Sequence, residues 1–458
     1  MKLLLDWSSY RNAGMGDAYA DIPKHGADFA KAIAVCIGSK QCQQQADKGV
    51  MCPSFRVSGN PDLSPGGRVK LLKAALNADD AEALFDPALV AAMDLCVACK
   101  GCRRECENEV DMAAIKAEFL AQQAARRGLP LRRQLWGHLP KLLKWPVLRR
   151  LIAWRNRSPL LAKLAQSVLG ISAKAELPLP AERPFQVPRQ SSLVLHPELS
   201  DRQVVLLVDT FNYYFNPASA EAAKNLLTAA GYHVHVAAAS PTDKDQRPLC
   251  CGRTYFSNGM LDQARAEARR MLAALTEHID AGRAIVGLEP SCILSLRDEY
   301  LKLGLGESAR NLAEKVVLLE EFIVREQSAK RWNLVFQAIP SQPRVLLHGH
   351  CHQKAVGSIK SVRKILKQIP GLSFELIESS CCGMAGNFGV EAEHYDDAQA
   401  MAELALFPAL RAEPDALLVG SGFSCREQIV GGGFAKPLHL AELLCLALPQ
   451  PDGEASTG

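Results

Sequence analysis

The chain has 458 residues, 48% hydrophobic and 22% charged, with a formal net charge of +4. That length suits two to four domains of ordinary globular composition, and so small a net charge excludes a basic molecule built around nucleic acid. Only three leucines separate Lys2 from Asp6, too short for a signal-peptide core, and no uncharged apolar run reaches the roughly 18 residues of a membrane span.

The expected location is therefore the cytoplasm, where fifteen clustered cysteines read as metal ligands or catalytic thiols rather than disulfides. Residues 1–30 carry no pattern and read as a lead-in. Residues 31–128 hold seven cysteines. They close on a helix with Asp111 as N-cap, apolar positions Ile115, Phe119 and Leu120, and a stop at Gly128 and Pro130. Within this region Cys96, Cys99, Cys102 and Cys106 spell C-x2-C-x2-C-x3-C, the ferredoxin spacing for a 4Fe–4S cluster. A tight turn presents three thiolates to one face of the cluster. Gly101 allows close backbone approach, and the nearby Lys100, Arg103 and Arg104 are expected to offset thiolate charge.

Cys36, Cys42 and Cys52 lie on the same spacing, with Ser39 in the second position and a six-residue insertion before Cys52-Pro53. Two arrangements stay open. If fourth ligands cross over, Cys52 completes the site of Cys96, Cys99 and Cys102, and Cys106 joins Cys36 and Cys42 at a second site. That second site would hold 3Fe–4S, a labile 4Fe–4S cluster, or nothing; if it is empty, Cys106 serves the single cluster. Thiolates also suit zinc.

Residues 129–200 form a basic, Trp-rich helical segment followed by a proline-spaced linker through Pro178, Pro180, Pro184 and Pro188. Between Glu118 and Glu176 there is no acid but there are twelve Lys or Arg, with Trp136, Trp145 and Trp154 every nine residues. Such a segment suits the anionic inner face of a membrane, an acidic partner subunit, or a solvated face whose tryptophans pack on a neighbouring domain.

From residue 201 short β-rich runs alternate with helices, at 204–208, 233–237, 284–289, 345–349, 374–378 and 416–420. This is the texture of βαβ units and parallel sheets. The pattern repeats. Val-Leu-Leu-Val, Cys250-Cys251-Gly252 and Cys292 recur as Val-Leu-Leu-His, Cys381-Cys382-Gly383 and Cys425. Two α/β modules are expected, at 201–330 and 342–448, then a disordered tail at 449–458.

In a parallel sheet, strand ends and helix N-termini gather on one edge. Cys351, Cys381, Cys382 and Cys425 are therefore expected to converge there as metal ligands or redox thiols. His350 and His352 complete a candidate redox edge, and His348 flanks it. The first copy has Cys250, Cys251 and Cys292 with Phe211 read at the place of Cys351, one thiolate short. Cys445, in an apolar helix, reads as a core residue.

These motifs resemble a known family. The runs at 49–55, 96–106, 249–256, 289–292, 348–354 and 380–389 are similar to the C-terminal half of FAD-linked D-2-hydroxyacid dehydrogenases of the D-2-hydroxyglutarate and D-lactate type. They are also similar to the iron–sulfur subunit of glycolate oxidase and the small subunit of anaerobic glycerol-3-phosphate dehydrogenase, and more distantly to the heterodisulfide reductase subunit built from Cys-Cys-Gly modules. The likeness covers about residues 31–447. It implies an iron–sulfur electron-transfer component that relays electrons from FAD on a partner subunit to a quinone or other acceptor. The family's flavin-binding half is missing from the pattern, Ser39 breaks the second ferredoxin motif, and Glu289 and Gly422 stand where the first cysteine of the C-x2-C that ends heterodisulfide reductase modules would be. A noncubane cluster or zinc in the second module stays open. Two other functions also stand: a thiol–disulfide reductase acting at the vicinal cysteines, and a zinc-stabilised scaffold without catalysis.

Overall fold

A computed structural model describes residues 2–15, 20–44, 49–187, 202–340 and 343–449. The N-terminal region is helical, and its helices begin where short polar side chains meet proline. Ser64 accepts from Gly67 N ahead of the Pro65–Asn77 helix, Asp86 accepts from Ala88 N and Leu89 N ahead of Pro87–Asp94, and Asp111 accepts from Ala114 N ahead of Met112–Arg127. The last helix ends at Gly128, as its sequence requires. Ile115 and Phe119 on its inner face pack with Phe29, Ile33, Leu72 and Leu89.

The stretch read as a lead-in is part of this core. Leu5 and Trp7 are buried, and the buried Glu118 carboxylate accepts from Leu4 N (3.0 Å), Leu5 N (2.7 Å) and Trp7 Nε1 (3.2 Å). A polar residue on an otherwise apolar helix face marks the attachment point, because a buried carboxylate must find donors.

The basic segment is helical over Leu131–Gly137, Leu139–Leu142, Pro146–Arg157 and Pro159–Leu169. Trp145 and Trp154 are 58% and 65% exposed, so packing on a neighbouring domain does not account for them. Residues 188–201, including Pro188, and the tail from 450 onward lie outside the described residues. No described helix is long and apolar enough to cross a membrane.

Behind these helices stand two parallel sheets. The first joins β1 (Gln203–Leu207), β2 (His233–Val236), β3 (Ala284–Gly287) and β4 (Val316–Leu318) in the order β2-β1-β3-β4. The second joins β5 (Arg344–His348), β6 (Ser373–Leu376) and β7 (Leu417–Gly420) in the order β6-β5-β7. Val419 also bridges Leu438 in parallel, a one-residue counterpart of β4. The duplication is thus topological as well as sequential. The strands are short; β1, β3, β5 and β7 are largely buried, as crossover helices on both faces demand, while the edge strands β2 and β6 are only half-buried.

The helical region is locked to the first module by a buried ion network. Lys100, 2% exposed, pairs with Asp298 and with Glu299 at 2.8 Å. Arg103 and Lys302 also bind Asp298, and Lys302 binds Asp111. Removing Asp298 leaves Lys100 with a single partner in a dry site. Asp298→Ala is expected to destabilise the fold by about 3 kcal/mol, read as a shift of the denaturant midpoint at constant slope.

A second clamp joins the helical region to the second module. His394 lies 3.0 Å from Glu391 and 3.3 Å from Asp94, stacked on Phe388. Burial opposes its charge, but hydrogen bonds to Asp94 and Glu391 outweigh that and hold its pKa at about 9, against an ordinary 6.5. A raised pKa stabilises the fold fully below about 6.5, and the gain is lost as pH climbs through 9. The thermal midpoint should therefore fall across that window in the native chain and stay flatter in His394→Gln.

Candidate functional site

The ferredoxin-like loop leaves the Pro87–Asp94 helix and turns twice through left-handed residues, Ala98 (φ 48°) and Lys100 (φ 63°). Gly101 then starts a short helix, and a Cβ there would sit 2.1 Å from the Val50 carbonyl oxygen. The glycine thus brings residues 49–52 against the loop. Glu105 fixes that approach by accepting from Val50 N (2.6 Å) and Met51 N (2.8 Å).

As a result Cys52, Cys96, Cys99 and Cys102 line one small pocket, with Arg68, Pro65 and Met112. Cys106 is not among its lining residues; it caps the Gly101–Glu105 helix at the half-buried rim. The pocket thus brings Cys52, rather than Cys106, beside Cys96, Cys99 and Cys102.

Arg68 is the cation at these thiols. Its Nε donates to Ala92 O (2.6 Å) and its Nη1 to Cys52 Sγ (3.4 Å), while Nη2 is buried without a partner among the described residues. Burial opposes its charge, but Cys96 and Cys52 outweigh that and raise its pKa. Burial likewise drives the thiol pKa values of Cys99 and Cys102 upward. Four convergent sulfurs and a half-satisfied guanidinium fit a buried, thiolate-held metal cluster of net negative charge. Lys100 also lines this pocket, but its ammonium and the Arg103 guanidinium pair with Asp298, and Arg104 is exposed.

Cys36 and Cys42 lie apart from this pocket. Cys42 Sγ accepts from Gly66 N (3.3 Å); burial raises its pKa, with a smaller push from Cys36. Ser39 is exposed, and residues 45–48 of the insertion lie outside the described residues.

In the second module Cys351 opens a helix directly after β5, and Cys425 lies in the Phe423–Gly431 helix that follows β7. The thiols of Cys351, Cys381, Cys382 and Cys425 adjoin one another in series, all four buried away from water. Gly383 N donates to Cys381 Sγ (3.5 Å), and a Cβ on Gly383 would meet the Ala398 carbonyl oxygen at 2.2 Å. The first module repeats this as Cys250, Cys251 and Cys292, with Gly252 N on Cys250 Sγ (3.4 Å).

Cys381-Cys382-Gly383 is followed by a turn through Ala385 (φ 38°) and Gly386 (φ 71°) ahead of Phe388–Val390. One expectation is corrected. The strand registers pair Leu207 with Gly287 and His348 with Gly420. Thr210, not Phe211, therefore stands where Cys351 does.

The two cysteine edges face one another across a cavity of about 240 Å³, lined by Cys250, Cys251 and Cys292 on one side and Cys351, Cys381 and Cys382 on the other, with Cys96 at its wall. His350 and His352 also line it. His352 Nε2 lies 3.1 Å from Ala98 O of the ferredoxin-like loop and 3.2 Å from Arg253 Nη2. Burial, with Arg253 next, lowers the pKa of His350 to about 3 and that of His352 as well, so both rings are neutral. Cys99 is packed with Cys381 and Cys382, and its strongest charge neighbour is Cys351. The two cysteine sites therefore adjoin.

Sequence reasoning missed three charged residues here. Arg68 sits in a helix with no motif around it. Lys354 stands in the His-Gly-His-Cys-His-Gln-Lys run; its Nζ donates to Ser379 O (2.5 Å) and Ser379 Oγ (3.1 Å) beside the four thiols. Glu289 accepts from Phe423 N (2.6 Å) of the other module, and burial, with Asp209 next, lifts its pKa to about 7. Cys445, read as a core residue, is half-buried and donates to Ala222 O (3.2 Å).

The model of the CCG cysteine-rich domain matches residues 209–297 and 345–429. Over 448 residues the chain is 24% identical to D-2-hydroxyglutarate dehydrogenase of Escherichia coli (strain K12), covering 86% of this chain and 41% of that protein. It is 28% identical over 200 residues to a subunit of the anaerobic glycerol-3-phosphate dehydrogenase of the same strain, 43% of this chain and 49% of the relative. It is 27% identical over 222 residues to lactate utilization protein A 2 of Bacillus cereus (strain Q1), 45% of this chain and 86% of the relative. The chain spans less than half the length of the D-2-hydroxyglutarate dehydrogenases it matches. No solved structure matches it significantly. The chain thus carries two copies of the CCG cysteine-rich domain and is similar, over most of its length, to the D-2-hydroxyglutarate dehydrogenases.

Proposed function

We propose that this chain is the iron–sulfur electron-transfer component of an FAD-linked 2-hydroxyacid dehydrogenase or oxidase, serving between a partner flavoprotein and a quinone or other acceptor. The single observation that carries the reading is the adjacency of two cysteine sites, with Cys99 against Cys351 and Cys381. The names of two relatives, D-2-hydroxyglutarate dehydrogenase and lactate utilization protein A 2, support the substrate class.

Cys52, Cys96, Cys99 and Cys102 would hold a 4Fe–4S cluster. Such a cluster supplies one-electron exchange, the unit into which a flavin's two electrons must be divided. Arg68 offsets thiolate charge from inside the pocket, and His352 fixes the Ala98 turn against the second module. The cavity between the modules is the proposed seat of the acceptor, with His350 and His352 as its neutral polar wall. FAD is assigned to the partner subunit. A second reading, thiol–disulfide reduction at the cavity wall, is favoured by the contact between Cys351 and Cys381; it requires disulfide turnover without any flavoprotein.

The chain is proposed to work in the cytoplasm, peripheral to the inner face of the membrane. The Pro146–Arg157 and Pro159–Leu169 helices expose Trp154 (65%), Leu160 (79%), Leu164 (58%) and Val168 (65%) in the acid-free segment. An apolar face flanked by Arg149, Arg150 and Lys163 suits anionic lipid.

Anaerobic purification should give a brown protein with iron, sulfide and a reducible paramagnetic centre. Cys52→Ala should lose that centre and Cys106→Ala should keep it; a pale native chain, or the reverse pattern, overturns the reading. Replacing Trp154 and Leu160 by Glu should weaken binding to anionic vesicles by at least about tenfold, measured by co-sedimentation, since each loses buried apolar area.

A further inference from the structure

We propose that Glu289, through the hydroxyl of Ser291, delivers a proton to a quinone-class acceptor reduced in the cavity between the modules. The inference rests on the electron-transfer reading above and adds to it the proton that a carbonyl oxygen must receive when it is reduced. Ser291 lines that cavity, together with His350 and with Phe211 and Phe423, whose rings stack at 4.8 Å. An aromatic wall with few polar atoms suits a flat ring that carries carbonyl groups.

The geometry is that of a relay held at both ends. Ser291 Oγ lies 2.7 Å from Glu289 Oε1, and Ser291 N donates to the same oxygen at 3.3 Å. Glu289 Oε2 accepts from Phe423 N of the other module at 2.6 Å. That oxygen is committed to a backbone donor, so a proton on the carboxyl belongs on Oε1, next to Ser291. A hydroxyl both donates and accepts. With the carboxyl protonated, Oε1–H donates to Ser291 Oγ and the hydroxyl's own hydrogen is free to turn to the cavity; with the carboxylate charged, the hydroxyl donates back. Glu289 is 2% exposed and does not line the cavity. Ser291 is therefore the group that meets the acceptor, and Glu289 is the proton reserve behind it.

The charges around the carboxyl oppose one another. Asp209, ahead of the Thr210–Tyr214 helix, repels its charge, and Arg426, in the Phe423–Gly431 helix, attracts it. His350 Nε2 lies 3.9 Å away in a neutral ring, and the thiols of Cys292 and Cys425 feel the carboxylate. Burial and Asp209 outweigh Arg426 and lift the pKa to about 7, the range in which a general acid works best near neutral pH. Reduction of a quinone to its quinol takes two electrons and two protons. The electrons come from the thiol-held centre of the proposed function. At the carbonyl beside Ser291, the Glu289 O–H breaks, the hydroxyl hydrogen moves on, and a new O–H forms on the acceptor. Water in the cavity supplies the proton of the other carbonyl and reloads Glu289.

The second module lacks the relay. Glu289-Pro290-Ser291-Cys292 corresponds to Gly422-Phe423-Ser424-Cys425. Gly422 brings no carboxyl, and Ser424 Oγ accepts from Gly386 N (3.3 Å) instead. The proton source thus belongs to the first module alone, across the cavity from Cys351, Cys381 and Cys382.

The experiment uses the full chain, purified anaerobically, reduced, freed of reductant and mixed by stopped flow with decylubiquinone or with hexaammineruthenium(III), which takes an electron but no proton. Reoxidation is read from the recovery of the visible iron–sulfur absorption. At about pH 6, Glu289→Gln and Ser291→Ala should each lower the ratio of the quinone rate to the ruthenium rate by at least about tenfold. In the native chain that ratio should fall as pH rises through about 7, because only the protonated carboxyl donates, and in Glu289→Gln it should stay flat. Infrared difference spectra give a readout independent of turnover. A protonated-carboxyl band titrating near pH 7 should be lost in Glu289→Gln, leaving that of Glu320, whose burial also lifts its pKa to about 7. An unchanged ratio in Glu289→Gln overturns the proposal and leaves the electron-transfer reading standing. A native chain without a reducible centre overturns that reading and the proposal with it.

Discussion

The structure depends on the burial of Lys100. An ammonium 2% exposed to solvent is tolerated only because Asp298 and Glu299 of the first CCG module meet it, and those carboxylates in turn need Lys100, Arg103, Lys302 and Arg253. Charges removed from water must be paired or the fold gives way. That requirement fixes the ferredoxin-like loop to one module, while His352 on Ala98 O fixes it to the other. Cys96 and Cys99 hang from the same loop. The position of the first thiol pocket relative to the second is therefore set by electrostatics outside both.

The duplicated modules have become unlike, and the differences interlock. Glu289 and Gly422 occupy equivalent places at the helix after the third strand of each copy. Glu289 caps its own helix through Ser291 N and reaches Phe423 N across the interface. Gly422 leaves room for His350, whose Cδ2 would lie 2.3 Å from a Cβ there. Phe211 and Phe423 stack at 4.8 Å across the same seam. Glu289 and Phe211 of the first copy both contact Phe423 of the second. The first module thus acts as the wall against which the second is held.

Much of this was legible in the sequence because the signals are local. C-x2-C-x2-C-x3-C announces a tight turn, period and length announce βαβ units, and the repeat of Cys-Cys-Gly announces duplication. What escaped depends on distance. Nothing around Arg68 distinguishes it from a surface arginine, and nothing near Asp298 says that Lys100 waits 198 positions away. The charges beside the cysteine loop were read as partners of the thiols, but a side chain goes to the strongest available counter-charge, and that lay in another domain. The short β4 was also missed, since three residues give no period. The alignment of Phe211 with Cys351 failed by one position, because matching Val-Leu-Leu runs cannot fix register where hydrophobic residues are interchangeable.

Charge placement gives the cysteine path a direction. An electron arriving in a low-dielectric interior adds negative charge that must be met locally. Arg68 stands ready at the first pocket with Nη2 unpartnered, and Lys354 at the second beside all four thiols. Between them lie His350 and His352, kept neutral by burial and cations, so they neither trap charge nor repel it. Glu289, 3.9 Å from His350 with its pKa raised to about 7, adds a group that can take a proton beside that ring. Under the proposed electron-transfer role, cations close to sulfur at each site and neutral rings beside them would meet an added electron's charge locally.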